Sequence, residues 1–317
     1  MKDSFSNEVE DLNFVIHDLQ YASVLDVPFY TRLLHHFYSY FGKINASVSA
    51  PVFLGYIYYI IITVQSFLPA FLIDCEDLWP RESLMTTILS VISYLFQGPH
   101  PSKKSARVLM SIVISIIFIV LISVLIVRTQ HFHRTGRISS GEFKFIYFTF
   151  KYIMPLFCPH LLSGLPISFD QIINQNKVDY NVLQIILCIY SFVFYLYLLY
   201  AIITPRVILE DTPSHDWFPL LTVATIANTS LMSLISGVAG CIGGQNRAGC
   251  SIWMTLQSLS LGFSFFLSNG VVKIIIGVIS SATFFASSFT SLFVTIDLFI
   301  SKPLSPEILF IVSVIIL

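Results

Sequence analysis

Residues 108–127 read VLMSIVISIIFIVLISVLIV, twenty positions with no charge, no proline and no glycine. As an α-helix rising about 1.5 Å per residue, the stretch reaches about 30 Å, the thickness of a bilayer's hydrocarbon core. Lys103, Lys104 and Arg107 precede it, and Arg128 closes it. Its apolar residues show no preferred face, and only Ser111, Ser115 and Ser123 interrupt the run. A helix that is apolar all round belongs either deep inside a large soluble protein or in lipid. Composition decides between the two. Of 317 residues, 55% are hydrophobic and 11% are charged, against about 25% charged in an average soluble chain. Mean hydropathy is +0.79. Too little polar surface remains to keep such a chain in water, which leaves the membrane.

The same reading places further spans at 50–73, 143–165, 182–204, 217–242, 251–268 and 271–300, with a partial span at 308–317. The expected fold is an all-α polytopic transmembrane helix bundle of seven or eight spans over 49–317, with an amphipathic arm over 1–48. Pro155 and Pro159 are expected to break the third span, and Pro205 to stop the fourth. The stretch 271–300 is too long for the bilayer unless it tilts, bends or protrudes. Residues 83–97 would rise only about 22 Å before Gly98-Pro99-His100-Pro101, so they read as interfacial or re-entrant, with a short span as the alternative. The stretch 308–317 would rise only about 15 Å. It suggests a fragment of a longer polypeptide.

In the arm, Leu12, Val15, Ile16 and Leu19 share one helical face. Tyr30, Leu33, Leu34, Phe37 and Phe41 share another, with Arg32, His36 and Ser39 opposite. This second helix either lies in the interface plane or docks on the bundle. No secretory signal opens the chain, because residues 1–26 hold six carboxylates and no apolar core.

A net charge of −1 selects no nucleic acid. The five cysteines form no C-x-x-C pair, so no metal is expected. Glu210, Asp211, His215 and Asp216 match no metal-site spacing. The basic run Arg128, His131, His133, Arg134 and Arg137 shares a side with the N-terminus, which favours a cytoplasmic N-terminus. Arg128, Arg134 and Arg137 are candidates to hold anionic lipid head groups, each worth about 1 kcal/mol, or else serve only to fix topology. Cys241 and Cys250 flank one short loop on the opposite side, and an oxidising compartment would allow them to pair.

Ionisable groups within spans are expensive and are read first as functional. Lys151 and His160 are the candidates, but nine residues separate them by about 14 Å along a helix, so they cannot touch. Lys273 and Asp297 lie near span ends and snorkel. The fifth span is the least lipid-like, with Asn228, Ser230, Ser233, Gly237, Gly240 and Gly244. Ser233 with Gly237, and Gly240 with Gly244, are small-xxx-small pairs that let helices approach closely. They read as a packing interface, or as the wall of a polar pathway. Gly277, Ser281, Ala282 and Ala286 give 271–300 a similar face, and the two helices are expected to pack together. No H-E-x-x-H, G-x-S-x-G or Walker motif is present, so neither an enzyme nor a cofactor is expected.

The aromatic arm, the acidic turn Asp77-Leu78-Trp79-Pro80 and the third span FKFIYFTFKYIMPLFCPHLL resemble the N-terminal multi-pass regions of large trichomonad and amoebozoan membrane proteins. In that group the membrane region continues into helical repeats of the tiny-macrocysts type, or into PAS and nucleotidyl cyclase domains. The resemblance implies the membrane-anchoring or sensory region of a larger signalling protein, in a eukaryotic plasma membrane or endomembrane. Any cyclase activity would then lie beyond Leu317, and no catalytic residue is carried over. Expected partners are the lipid bilayer and anionic lipids, with a homo-oligomer or a fused soluble signalling domain left open. The alternative is a small-solute or ion transporter or channel, lined by Asn228, Ser230, Ser233, His160 and Lys151. An anchoring module should show interhelical packing, few deep polar groups and no through-going cavity; a transporter should show a central pathway along those residues.

Overall fold

In a computed structural model the described residues are 36–44, 52–72, 84–99, 103–137, 139–175, 179–209, 219–242, 246–267 and 274–300, with Ile308 and Ile311. Among them there are helices and turns but no strand. The helices are α1 (36–44), α2 (Val52–Leu72), α3 (Leu84–Phe96), α4 (Lys104–Thr135), α5 (Ser140–Phe148), α6 (Met154–Ser163), α7 (Leu165–Gln175), α8 (Asp179–Leu209), α9 (Pro219–Cys241), α10 (Arg247–Leu267) and α11 (Ile274–Ile300). Six helical runs among the described residues are long and apolar enough to cross a membrane: Lys104–Thr135, Ser140–Gln175, Tyr180–Ile203, Thr222–Cys241, Arg247–Leu267 and Gly277–Ile300.

Which residues face outwards identifies the solvent. On α4, Leu109, Val113, Ile116, Ile117, Val120, Val124 and Val127 are exposed, whereas Arg107, Ser111, Ser115 and Thr129 are buried. Water would reverse that arrangement, because burying apolar area is what folds a soluble chain. In lipid the outside is apolar, and close packing with interhelical hydrogen bonds joins helices instead. The chain is a multi-pass, all-α membrane protein.

There are two main apolar cores among the described residues, besides a small cluster of Leu162, Leu165, Ile185 and Cys188. The larger joins Phe118, Ile122 and Leu125 of α4 to Tyr147 of α5, Met154 and Cys158 of α6, Tyr195 and Leu199 of α8, and Ile226 of α9. The smaller joins Leu68, Met232, Ala239, Ala248, Met254, Val294 and Leu298. Helix α9 reaches both.

The expected pairing of α9 with α11 is not found as an extensive interface. Helix α2 packs on both of them, and α11 lies mainly along α10. There Ser281 Oγ donates to the Gly262 carbonyl at 3.1 Å and Ser288 Oγ to the Thr255 carbonyl at 3.0 Å. Small residues at helical spacing make close approach possible without naming the partner.

Proline does not break the third span. Ser140–Gln175 is one run of helix with a π-helical turn at Thr149–Ile153, where the Met154 N–H bonds the Thr149 carbonyl. Residues 166–175, beyond the expected end of that span, are helical as well. Nor does Pro205 stop α8, which continues to Leu209. Intramembrane prolines are tolerated where local adjustment and neighbouring groups re-satisfy the freed carbonyls.

Helix α1 is docked on the bundle. Phe37, Tyr40, Phe41 and Ile44 are buried, Tyr40 lies 5.4 Å from Phe132 and 6.0 Å from Phe143 between ring centroids, and His36 stacks on His133 at 3.7 Å. The expected helix over 12–19, the 210–216 cluster and most of 308–317 lie outside the described residues.

Candidate functional site

Arg107 sits in the first turn of α4 with none of its surface exposed. Its Nε donates to the Pro99 carbonyl at 2.5 Å, and among the described residues neither terminal nitrogen has a hydrogen-bond partner. The turn that presents Pro99 is set up by three features. Gly98 adopts φ 101°, a value disfavoured for any residue with a Cβ. The Gln97 side chain donates to the Gln65 carbonyl. Gln65 Nε2 in return donates to the carbonyls of Phe96 at 3.0 Å and Leu156 at 2.7 Å.

Across from Arg107 stands α9. A Cβ at Gly237 would lie 2.7 Å from the Ser163 carbonyl, 3.2 Å from Pro166 and 3.4 Å from Arg107 Nη1. Only glycine permits this approach. One turn further, Cys241 lies within electrostatic reach of Arg107, Lys104 and Asp170. Lys104 pairs with Asp170 at 3.5 Å and Arg128 with Glu142 at 3.3 Å; among the described residues no carboxylate pairs with Arg107.

His160 of α6 belongs to the same region, within electrostatic reach of Arg107. It is fully buried beside Gly98 and Phe157. The carbonyls of Tyr94 and Leu95 lie nearest its ring, yet neither ring nitrogen attains hydrogen-bond geometry. Its own carbonyl accepts from Ser111 Oγ at 2.6 Å and Ser163 Oγ at 3.0 Å. Ser111 Oγ also accepts the Gly164 N–H at 3.1 Å. Ser111 thus clamps the turn between α6 and α7 to α4.

Lys151 is elsewhere. It lies in the π turn, donates to the Tyr147 hydroxyl at 2.7 Å and stands 5.0 Å from that ring's centroid and 5.5 Å from that of Tyr152. The aromatic faces shelter its ammonium.

On α9, Asn228 is buried, and among the described residues both of its amide atoms lack a partner, as do the hydroxyls of Ser233 and Ser236. Ser230 Oγ bonds back to the Ile226 carbonyl at 2.8 Å. Gly240 is half-buried, and Gly244 lies outside the described residues. The hydroxyls of α11 contrast with this. Ser287, Ser288, Thr290, Ser291 and Thr295 all donate to carbonyls.

The thiols of Cys241 and Cys250 are free, so the anticipated disulfide is absent. They face different neighbours: Cys241 lies toward Lys104 and Arg107, whereas Cys250 packs against the smaller core. At the other end of α4, Arg134 and Arg137 are exposed, and Arg128 and His131 overlook a surface groove of about 430 Å³ floored by Val124 and Val127.

Arg107 is the residue that sequence reasoning missed. Beside Lys103 and Lys104 it reads as one more flanking charge. The signal lay in its spacing, since Arg107, Ser111 and Ser115 recur every four residues on one helical face. No protein-family model, curated protein or solved structure matches this chain, so the geometry of the site is what speaks to its function.

Proposed function

We propose that the chain moves a small polar solute or ion across the membrane, along a path between α9 and the α4–α6 wall. The observation that supports this reading is the unsatisfied polar lining of α9. An unpaired buried polar group costs about 1–3 kcal/mol. A mere packing seam avoids that cost, as the bonded hydroxyls of α11 do. Asn228, Ser233 and Ser236 instead keep donors and acceptors unpaired, as a passage for water and solute requires. An anchoring module has no need of such a lining.

In this reading α2, 21 residues long, is a seventh span, and α3, 13 residues long, is re-entrant. The docked arm and Arg134 face the cytoplasm, and Lys103 faces the opposite compartment. A membrane-impermeant maleimide should then label Lys103→Cys in intact cells and spare Arg137→Cys; the reverse pattern would invert the topology. The transport reading is tested in proteoliposomes by efflux of entrapped chloride, acetate and potassium. Asn228→Leu should abolish an efflux that the wild-type protein supports. Efflux unchanged by this substitution would remove the path.

A further inference from the structure

We propose that Arg107 holds a small monovalent anion, a halide or the carboxylate of a small solute, between α4, α6 and α9. The inference names the cargo class of the path proposed above and rests on that reading. The anion supplies what the site lacks. A guanidinium carries five N–H donors and stays charged in proteins. Stripped of water it costs several kcal/mol unless charge and hydrogen bonds compensate. Among the described residues Nε alone is engaged, by the Pro99 carbonyl, and the four N–H groups on Nη1 and Nη2 have no acceptor.

The compensation does not come from the described part of the chain. The carboxylates of Asp170 and Glu142 are engaged by Lys104 and Arg128. The surroundings are arranged for a negative guest. Arg107 lies in the first turn of α4, where the helix dipole adds positive potential. Gly237 brings the α9 backbone against Nη1, the Ser163 carbonyl and Pro166. Among the described residues the buried hydroxyls of Ser233, one turn before Gly237, and of Ser236 have no partner. A single unbalanced cation matches a single negative charge. The planar fork fits a carboxylate through two parallel bonds and also accepts a halide. Access is short, because Lys103 is exposed one turn away and Cys241 is half-buried. The exposed Lys103 would draw anions to that end.

Binding is measured directly by chloride NMR line broadening on the purified full chain in lipid–detergent micelles, in a buffer whose anion is a bulky sulfonate. Wild-type protein should broaden the chloride line, and acetate should reverse the broadening. Arg107→Gln should abolish it, and Arg128→Gln should leave it intact. Arg107→Lys keeps the charge and loses the fork, so acetate should weaken at least tenfold more than chloride. That ratio decides the matter if Arg107→Gln does not fold. A wild-type protein that causes no broadening, broadening that survives Arg107→Gln, or equal weakening of both anions by Arg107→Lys would overturn the site. Flux without binding would refute the anion site and spare the path. Binding without flux would refute the path and spare the site.

Discussion

The hydroxyl of Tyr195 on α8 donates to the carbonyl of Phe150 at 2.8 Å, inside the π-helical turn of the third span. The turn's register shows why this bond exists. Met154 bonds the Thr149 carbonyl five residues back, so the next donor would be Pro155, which has no N–H. The Phe150 carbonyl is thereby orphaned in a buried setting, and Tyr195 supplies the missing donor. Tyr195→Phe should destabilise the protein by about 1–3 kcal/mol, the cost of one unsatisfied buried acceptor. Thermal unfolding in detergent measures it. An unchanged midpoint would mean that the carbonyl is satisfied otherwise.

The clasp of Gln65 and Gln97 fixes where α3 ends. Gln65→Leu removes two donors from buried carbonyls, and about 2–3 kcal/mol should be lost. Because that clasp also positions the turn carrying Pro99, Arg107→Lys and Gln65→Leu should be non-additive in a double-mutant cycle. Additive losses in the same unfolding assay would separate the clasp from the site.

Gly98 and Gly249 make a controlled pair. At Gly98, φ is 101° and a Cβ would meet His160 at 3.4 Å, so alanine there should cost about 1–3 kcal/mol. Gly249 lies on α10 with nothing within 4 Å of an added Cβ, so alanine there should stabilise by up to about 1 kcal/mol through helix propensity. Equal effects at the two positions would contradict the strained turn.

Burial holds the Tyr40 phenol well above the usual tyrosine range; Glu142 adds to this and Arg128 opposes it. A group whose folded pKa is raised contributes stability that is intact below its unfolded pKa and is lost as pH climbs. Docking of α1 should therefore weaken above about pH 10, the ordinary tyrosine value. Proteolysis of the arm against pH measures this, and Tyr40→Phe should remove the dependence. Among the described residues the Tyr40 hydroxyl has no hydrogen-bond partner, so Tyr40→Phe should not destabilise at neutral pH.

What could be read from the sequence followed from what lipid demands. The apolar run of 108–127 marks the membrane-embedded part of α4 but not its ends. The helix continues through Arg128 and the basic residues after it to Thr135, where Gly136 at φ 64° caps it. Hydropathy reports the solvent, whereas helices end at caps. Pro155 marks a defect in the backbone ladder, but its remedy, Tyr195, lies on another helix. Gly237 announces a close approach without saying that α6 is the partner. Arg107 is ambiguous by composition, because a charge beside an apolar run reads equally as a snorkelling flank. Only its shared face with Ser111 and Ser115 sets it apart.

The central claim is that lipid surrounds this bundle and that its polar groups point inward. Spin labels placed singly along α4 test it most directly in reconstituted vesicles. Labels at Val113, Val120 and Val124 should collide freely with oxygen and rarely with a water-soluble nickel chelate, while labels at Ser111, Ser115 and Phe118 should meet little of the oxygen. Frequent chelate collisions at Val113, Val120 and Val124 would contradict the account.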